Sequence, residues 1–350
     1  MFDQLLAFVA KHARAIPERV VRGLFLAAAD AAWATHAGSV RQLERNLVHV
    51  TSWANDGAPV DRRELRRLSR RGMRSYFTYF SEAMTVGGRT ERQLRARIRG
   101  AGDGLDSLVE LTGTPAQGGR DGSAPIAMGH QGNWDYAGFW AKFDVAPVVT
   151  VAEKLADPDL LKTFVGIRES LGMRILLTGT PKLTSRLEAV LRGPHVIVPL
   201  LADRDLGRNG EFVRAFGSVI RVARGPATLA IDAGKPLYVV NMHRERLSGK
   251  RRREAGTPYG YVCEVSGPID VAPYLGMPRE EAIAALTQAW VDIWAAGIAA
   301  HPEDWHMLQP FFLPDLDLDR LRNVPDWVTA TLRADRAGDA ARTHACPRKS

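Results

Sequence analysis

The chain has 350 residues, of which 45% are apolar and 25% are charged. This length is enough to bury a full hydrophobic core, and these proportions are typical of a globular protein, which excludes a largely disordered chain. The net charge of +8 is concentrated near the N-terminus, because residues 1–100 carry 18 Lys and Arg against 9 Asp and Glu. Such a basic region favours an anionic membrane surface over nucleic acid as a partner. A solvated helix face without a partner is the alternative.

The cysteine content and the apolar stretches indicate where the protein functions. Cys263 and Cys346 cannot form a disulfide framework and neither is part of a CxxC pair, which fits a reducing, cytoplasmic compartment. The N-terminal residues have no Lys or Arg before their apolar stretch, unlike a secretory signal. Residues 282–300 are apolar but contain Gln288 and Asp292 near the middle, so we interpret them as a buried core helix. Any membrane contact is therefore expected to be peripheral.

The first hundred residues have helical periodicity. We predict helices around residues 5–9, from Pro17 to Trp33 and over residues 41–52. A fourth helix is predicted to begin after Asp61, whose side chain would cap it. The last of these combines an apolar face and several arginines with an aromatic cluster of Tyr76, Phe77, Tyr79 and Phe80. This combination is typical of an interfacial membrane helix. The alternative is a helix whose aromatic residues pack inside while its arginines are solvated.

After a Gly-rich loop at 113–124, short apolar runs alternate with helical patterns. The predicted strands cover residues 125–129, 147–151, 174–177, 195–201, 236–242 and 259–265, and the predicted helices cover 135–143, 157–171, 181–192 and 225–233. This alternation predicts an α/β fold, with a central, mostly parallel sheet flanked by helices and a helical N-terminal extension. We expect residues 1–100 to form a membrane-facing extension of the same domain, 101–315 the α/β core, and 316–350 a C-terminal tail.

Residues 127–135, Ala-Met-Gly-His-Gln-Gly-Asn-Trp-Asp, place a histidine and an acid at the end of the first predicted strand. The carboxyl ends of strands in open α/β sheets are where ligands bind, and His130 stands at such an end. A histidine can act as a general base near neutral pH. We expect Asp135 to fold back and accept the Nδ1 proton of His130, leaving Nε2 free to take a proton from a hydroxyl. The alternative is a buried histidine followed by a helix-capping acid.

The string His130-Gln-Gly-Asn-Trp-Asp135 resembles the H-x-G-N-W-[DE] box of bacterial lipid acyltransferases. This group contains the late acyltransferases of lipid A biosynthesis and the actinobacterial phosphatidylinositol mannoside acyltransferases. The resemblance extends from about residue 10 to residue 315. It includes RQLERN at 41–46, VAEK at 151–154, RESLGM at 168–173, LADRDL at 201–206, GPA at 225–227 and HPEDWHM at 301–307. The ADRDL and HPEDWHM strings are more similar to the phosphatidylinositol mannoside branch, and the Arg- and Ala-rich composition is similar to that of high-GC actinobacteria.

The resemblance implies transfer of a palmitoyl-type chain from acyl-CoA to a mannose hydroxyl of a phosphatidylinositol mannoside, at the cytoplasmic face of the membrane. It implies that His130 is the general base, that Asp135 is its partner and that Glu153 lies near the acceptor sugar. Acyl-CoA is then a co-substrate, and no cofactor is expected. The chain departs from its relatives at 210–217, Gly-Glu-Phe-Val-Arg-Ala-Phe-Gly, where relatives tend to have an acid shortly before Phe-Phe-Gly. Glu211 is the acid available there.

Four arginines are further candidates for substrate binding. Arg221 and Arg224 precede a predicted helix start, where their charge and backbone N–H groups would hold a phosphate. Arg168 and Arg204 follow predicted elements from which side chains can enter the cleft. The alternative for all four is a surface or structural role, which for the Asp-Arg-Asp trio at 203–205 means an ion-pair network.

Several other chemistries lack their motifs. His301 and His306 miss the i, i+4 spacing of a helical zinc pair, so no metal is expected. The sequence contains no G-x-S-x-G, G-x4-G-K-[ST] or G-x-G-x-x-G motif, which argues against a serine hydrolase, a P-loop enzyme and a dinucleotide enzyme. We therefore predict direct acyl transfer without an acyl-enzyme. The alternatives are an acyltransferase acting on another membrane glycolipid or a lysophospholipid, and a non-catalytic lipid-binding protein; a nucleic-acid-binding protein would rest on the basic region alone.

Overall fold

Three long helices form the N-terminal part of the computed structural model, which describes residues 16–154, 157–205, 209–321 and 324–334. They are α1 (Glu18–Ala34), α2 (Gly38–Ala54) and α3 (Arg62–Thr85). The Asp61 side chain caps α3 by accepting a hydrogen bond from the backbone N of Glu64 at 3.0 Å. The helix predicted around residues 5–9 and the residue Cys346 lie outside the described residues.

The α/β region contains every strand and helix predicted for it, with ends shifted by no more than four residues. Its helices are α4 (Glu91–Arg97), α5 (Leu105–Thr112), α6 (Trp134–Asp144), α7 (Pro158–Ser170), α8 (Leu183–Leu191), α9 (Gly225–Ala233), α10 (Gly249–Ala255) and α11 (Arg279–Ala300). Its strands are β1 (Ile98–Ala101), β2 (Ser123–Met128), β3 (Val149–Ala152), β4 (Arg174–Leu177), β5 (Val196–Leu201), β6 (Glu211–Ala215), β7 (Ser218–Val222), β8 (Leu237–Arg246) and β9 (Tyr259–Ile269). Residues 326–334 are also helical.

The central sheet has the strand order β1-β9-β8-β2-β5 and is parallel except between β8 and β9. The parallel pair β3–β4 continues it beyond β5 through a bridge between Val148 and Ile197. Strand β2 is buried at every position, which explains its uninterrupted run of small and apolar residues. The mostly parallel sheet with flanking helices and the helical N-terminal region confirm the predicted fold class. The antiparallel hairpin β6–β7 was not predicted.

Helix α11 packs within the protein. Trp290, Trp294 and Ile298 are fully buried in a core that also includes residues of the β6–β7 hairpin and of the 305–312 segment. Within the described ranges, α11 alone is long and apolar enough to span a membrane by length and composition, and half of that stretch is buried. Its packing is that of the core helix inferred from sequence.

The aromatic end of α3 turns inward, so the inward-packing alternative describes this helix. Phe77 and Tyr79 are buried, and Phe80 packs edge-on against Phe164 of α7. Three α3 arginines pair with neighbouring helices: Arg66 with Glu44 of α2, and Arg70 and Arg74 with Asp30 of α1. The other four α3 arginines are exposed. Helix α3 thus presents aromatic side chains toward the end of the sheet where β2 terminates.

Candidate active site

The turn after β2 places His130 at the carboxyl end of the central sheet. Its glycines permit the close packing there. A Cβ on Gly129 would lie 2.5 Å from Nε1 of Trp294, and Gly132 has a φ of +61°, a conformation that favours glycine. Asn133 then caps α6 by accepting a hydrogen bond from the backbone N of Tyr136 at 3.1 Å.

Asp203 is the hydrogen-bond partner of His130. Nδ1 of His130 lies 2.6 Å from Oδ1 of Asp203, and the His130 backbone N donates to Oδ2 at 3.0 Å. The sheet register explains this pairing, because Met128 of β2 lies beside Leu201 of β5 and each catalytic candidate is two residues further along its strand. The indole Nε1 of Trp305 also donates to Oδ2, at 3.1 Å. Asp203 is therefore fixed on both oxygens.

The environment of Asp203 determines which nitrogen of His130 is free. Burial would raise the pKa of this fully buried carboxyl, but the charge of His130 and the hydrogen bonds from His130 and Trp305 lower the pKa below its ordinary value. An ionised carboxylate only accepts hydrogen bonds, so Nδ1 carries the proton. Nε2 is consequently the nitrogen available to take a proton. The His130 side chain is 26% exposed and lines a large cleft.

Asp135 does not fill the role expected from the sequence, and the predicted pairing with Nδ1 of His130 is wrong. Its Oδ1 accepts from Nε of Arg168 at 2.8 Å and its Oδ2 accepts from the Tyr79 hydroxyl at 3.0 Å. The reason is geometric: α6 begins at Trp134, and its first turn directs Asp135 toward α3 and α7 while β5 supplies Asp203. The position of Asp203 just beyond a predicted strand was the sequence signal for its role.

Arg168, Asp135 and Tyr79 form a buried network beside the cleft. Burial would lower the pKa of Arg168, but the charge of Asp135 outweighs it and raises the pKa above its ordinary value. Burial, reinforced by Asp135, raises the pKa of Tyr79 well above its ordinary value. The network therefore contains a cation, an anion and a neutral hydroxyl donor, and it links α3, α6 and α7.

The cleft that contains His130 has a volume of about 1240 Å³. Five of the six candidate substrate-binding residues line it, namely Glu153, Arg168, Arg204, Glu211 and Arg224. Burial raises the pKa of the Glu211 carboxyl above its ordinary value. Glu153 also lines the cleft, but its side chain is exposed. Both carboxylates offer acceptors to a polyhydroxylated ligand. The sequence departure at 210–217 contributes Glu211 to the cleft, while Arg214 is exposed with its guanidinium over the Trp327 ring.

Arg221 lies behind the cleft rather than in it. Its Nη1 is 2.6 Å from Oδ2 of Asp205, and its side chain is only 5% exposed. Arg224 precedes α9 at the cleft and pairs with Glu280. Arg204 donates from Nη1 to Oε1 of Gln309 at 2.9 Å. Of the two candidate phosphate-binding arginines, only Arg224 is placed to meet a ligand directly.

His306 is a site residue that the sequence analysis considered only as a metal ligand. Its backbone N donates to the carbonyl of His130 at 2.7 Å, and its Nε2 lies 3.1 Å from Oγ of Ser75. Burial lowers its pKa to about 3, so the ring is neutral. No local pattern links residues so distant in sequence, which is why the contact was missed. The described residues contain no group of three or more His, Cys, Asp or Glu side chains arranged to hold a metal.

A smaller cavity of about 70 Å³, here called the apolar channel, is lined by residues of α6 and of the central sheet. The channel and the cleft share the lining residues Trp134, Val151, Arg168 and Leu201, so the two adjoin there. Its walls are otherwise mainly apolar, and they include Met128, Ala137, Gly138, Ala141, Val145, Met173, Val240 and Cys263. Burial raises the pKa of the Cys263 thiol to about 12, so this thiol is protonated. A large cleft with both polar and apolar lining residues and a cavity with mainly apolar walls therefore share lining residues near His130.

Comparison with known proteins identifies the family. The family described as bacterial lipid A biosynthesis acyltransferase matches residues 1–313. The chain belongs to this family. It is 34% identical over 309 residues to the phosphatidylinositol mannoside acyltransferase of Mycolicibacterium smegmatis, covering 88% of this chain and 90% of that relative. It is 33% identical over 308 residues to the protein of the same name from Mycobacterium tuberculosis, covering 88% and 87%. The resemblance read from the His130–Asp135 box is confirmed, and the protein is an acyltransferase by family.

Proposed function

We propose that this acyltransferase moves a long, palmitoyl-type acyl chain from acyl-CoA to a mannose hydroxyl of a phosphatidylinositol mannoside. The observation that carries the proposal is the His130–Asp203 pair, positioned in a large cleft of mixed polar and apolar lining that shares residues with an apolar channel. The names of the relatives from Mycolicibacterium smegmatis and Mycobacterium tuberculosis support the acceptor.

The reaction follows from the protonation of the pair. Nε2 of His130 takes the proton of the acceptor hydroxyl as its oxygen attacks the thioester carbonyl. Asp203 stabilises the imidazolium through Nδ1. Collapse of the tetrahedral intermediate forms the ester and expels the CoA thiolate, which is a good leaving group. The thiolate then takes up the proton held by Nε2 of His130. Within the described residues, no Ser, Thr or Cys side chain hydrogen-bonds to His130, so direct transfer is favoured over an acyl-enzyme.

The apolar channel is the proposed site of the acyl chain. Burying a methylene group is worth about 0.8 kcal/mol, so a channel with apolar walls favours a long chain strongly. We infer that the thioester end lies at Trp134 and Arg168, which the channel shares with the cleft, and the 5.5 Å between the Trp134 and His130 rings supports this position. The arrangement directs the chain inward and leaves the carbonyl at the base.

The polar part of the cleft is the proposed site of the acceptor and of the CoA phosphates. Glu153 and Glu211 supply acceptors for sugar hydroxyls. Arg224 supplies positive charge at the start of α9, where backbone N–H groups also favour an anion. Arg204 lies on the same cleft and supplies a second cation.

We also propose that the protein works at the cytoplasmic face of the membrane as a peripheral protein. The substrates are lipids, the N-terminal region is basic, and Val20 and Leu24 on α1 are about half exposed. Anionic lipid attracts such a region, and exposed apolar residues can enter the interface. Liposome sedimentation should increase with the anionic lipid fraction and weaken in high salt. Sedimentation that is independent of anionic lipid would contradict this part of the proposal.

The deciding experiment measures thiol release from palmitoyl-CoA with and without phosphatidylinositol mannoside, using wild type and His130→Ala. Release should depend on the acceptor and fall at least about a hundredfold in the variant. His36→Ala serves as the matched control, because His36 is partly exposed and pairs with Glu44 away from the cleft. Release without the mannoside, or release that survives in His130→Ala, would refute the assignment.

Comparing acceptors at a fixed acyl-CoA concentration separates the proposal from its alternatives. A higher kcat/KM on another glycolipid or on a lysophospholipid would replace the acceptor while keeping His130 as the base. Absence of turnover with every acceptor, together with acyl-CoA binding, would indicate a lipid-binding protein instead.

A further inference from the structure

Trp140 belongs to the lining of both the apolar channel and a second cavity. The indole lines the channel and also lines an open pocket of about 420 Å³ near α5. Trp140 itself is 7% exposed. This second pocket includes Leu105, Val109 and Glu110, and it shares no other lining residue with the channel. Trp140 is thus the lining residue that the channel and the open pocket have in common.

Gly100 determines where this indole lies. A Cβ at Gly100 would be 2.3 Å from Cζ2 of Trp140, so the ring packs directly on the backbone of β1. Trp140 is six residues after Trp134 on α6, which places it about 9 Å further along the helix axis. Because the channel shares Trp134 with the cleft and Trp140 with the open pocket, the two tryptophans lie toward opposite ends of the channel.

Between these two tryptophans, α6 lines the channel with Asp135, next to Trp134, and then with small residues. Ala137 and Gly138 line the channel there, and Ala141 follows Trp140. The small side chains of Ala137 and Gly138 leave space between α6 and the sheet. After them, the bulky indole of Trp140 lines the channel and packs on Gly100.

We propose that Trp140 closes the distal end of the acyl channel and sets the longest acyl chain that the enzyme accepts. This inference rests on the proposed function, because the chain in the channel is that of the acyl donor. Removing the indole joins the channel to the open pocket and admits further methylene groups. The terminal methyl group of the preferred chain is then the part of the substrate that meets Trp140.

A substitution at Gly138, one helical turn before Ala141, should shorten the longest accepted acyl chain instead of lengthening it. A Cβ at Gly138 would lie 2.2 Å from Sδ of Met173, and Met173 also lines the channel. Gly138→Ala therefore displaces the Met173 side chain and reduces the space available to the chain. The two substitutions should change the chain-length limit in opposite directions.

The test uses two readouts over a chain-length series from dodecyl to docosyl. The first is binding of S-alkyl-CoA thioethers, which cannot be turned over, and the second is acceptor-dependent thiol release from the matching acyl-CoAs. Trp140→Ala should move the optimum to longer chains, with affinity rising about fourfold for each added methylene that gains a buried position. Gly138→Ala should move it to shorter chains. Trp140→Phe is a milder variant, for use if Trp140→Ala fails to fold. It should show a smaller shift in the same direction.

Phe139→Ala is the matched control, because Phe139 is a buried aromatic residue on the same helix that lines neither cavity. Its chain-length profile should equal that of wild type. An unchanged thioether profile in both Trp140 variants, or no thioether binding by wild type, would overturn the inference. Chain-length-dependent binding without turnover would overturn the proposed function and leave the role of Trp140 standing.

Discussion

Asp203 and Asp135 are both buried beside the cleft, with exposed fractions of 0% and 2%, yet they have different partners. Asp203 binds the imidazole of His130, a backbone N and an indole, none of which is a permanent cation. Asp135 binds the guanidinium of Arg168 and a tyrosine hydroxyl. The charge of Asp135 is thus neutralised by a fixed ion pair, whereas the charge of Asp203 is directed at the base. Substitutions of these two equally buried acids are therefore expected to have different effects.

The largest difference should appear in the rate of Asp203→Asn. An asparagine can donate to Nδ1 of His130, which places the remaining proton on Nε2 and removes the base. We expect kcat to fall by about 10³–10⁴ while the KM for acyl-CoA changes little, since substitutions that disturb the tautomer of a catalytic histidine have effects of this size. The measurement is steady-state thiol release with saturating acceptor. A kcat within tenfold of wild type would show that Asp203 does not orient the base.

For Asp135→Asn the larger effect should be on stability. The substitution leaves the Arg168 guanidinium buried without an ionised partner, which costs about 3–5 kcal/mol in the free energy of unfolding. Urea unfolding measures this loss, and a double variant that also carries Arg168→Met should recover part of it. The kcat of the folded Asp135→Asn protein should fall less than that of Asp203→Asn. Equal rate losses in the two variants, without a loss of stability in Asp135→Asn, would remove the distinction.

A neutral group near the pair offers a third, smaller test. The pKa of His306 is lowered from 6.5 to about 3 by burial, so the unfolded chain binds a proton that the folded protein does not. The contribution of His306 to the free energy of unfolding is therefore fully present above about pH 6.5. It is lost as the pH is lowered toward 3, by up to about 1.4 kcal/mol per pH unit for one such group. His243, whose pKa burial also lowers, adds to the effect. Asp203, with a lowered pKa, loses its contribution only below the ordinary aspartate range.

Urea unfolding between about pH 7 and about pH 5.5 measures mainly the histidine contribution, because carboxyl groups titrate mostly below this window. His306→Gln should reduce the slope of the unfolding free energy against pH by up to about one proton. A wild-type stability that is flat over this range would show that His306 is protonated in the folded state.

The sequence predicted the sheet well because its strands are short apolar runs between helical patterns. It missed the β6–β7 hairpin, in which a charged Arg214 interrupts the apolar run. It located His130 from its place at a strand end but assigned the wrong acid to it. The pairing with Asp203 depends on β2 and β5 being adjacent and in register, and strand order cannot be read from local patterns. Asp135 was assigned from proximity in sequence, whereas the acid that contacts the imidazole is 73 residues away.

The smallest expected effect concerns the acceptor side of the cleft. Glu153 is exposed, lines the cleft and has no role in holding His130, so Glu153→Gln should change neither the tautomer nor the fold. Because a hydrogen bond to a charged group contributes about 1.5–3 kcal/mol, we expect the KM for the mannoside to rise by about tenfold or more with little change in kcat. Glu169→Gln, at an exposed acid outside the cleft lining, should leave both constants unchanged. A fall in kcat at unchanged KM would instead place Glu153 beside the reacting atoms. Glu153 would then act on acyl transfer without contacting His130, unlike Asp203.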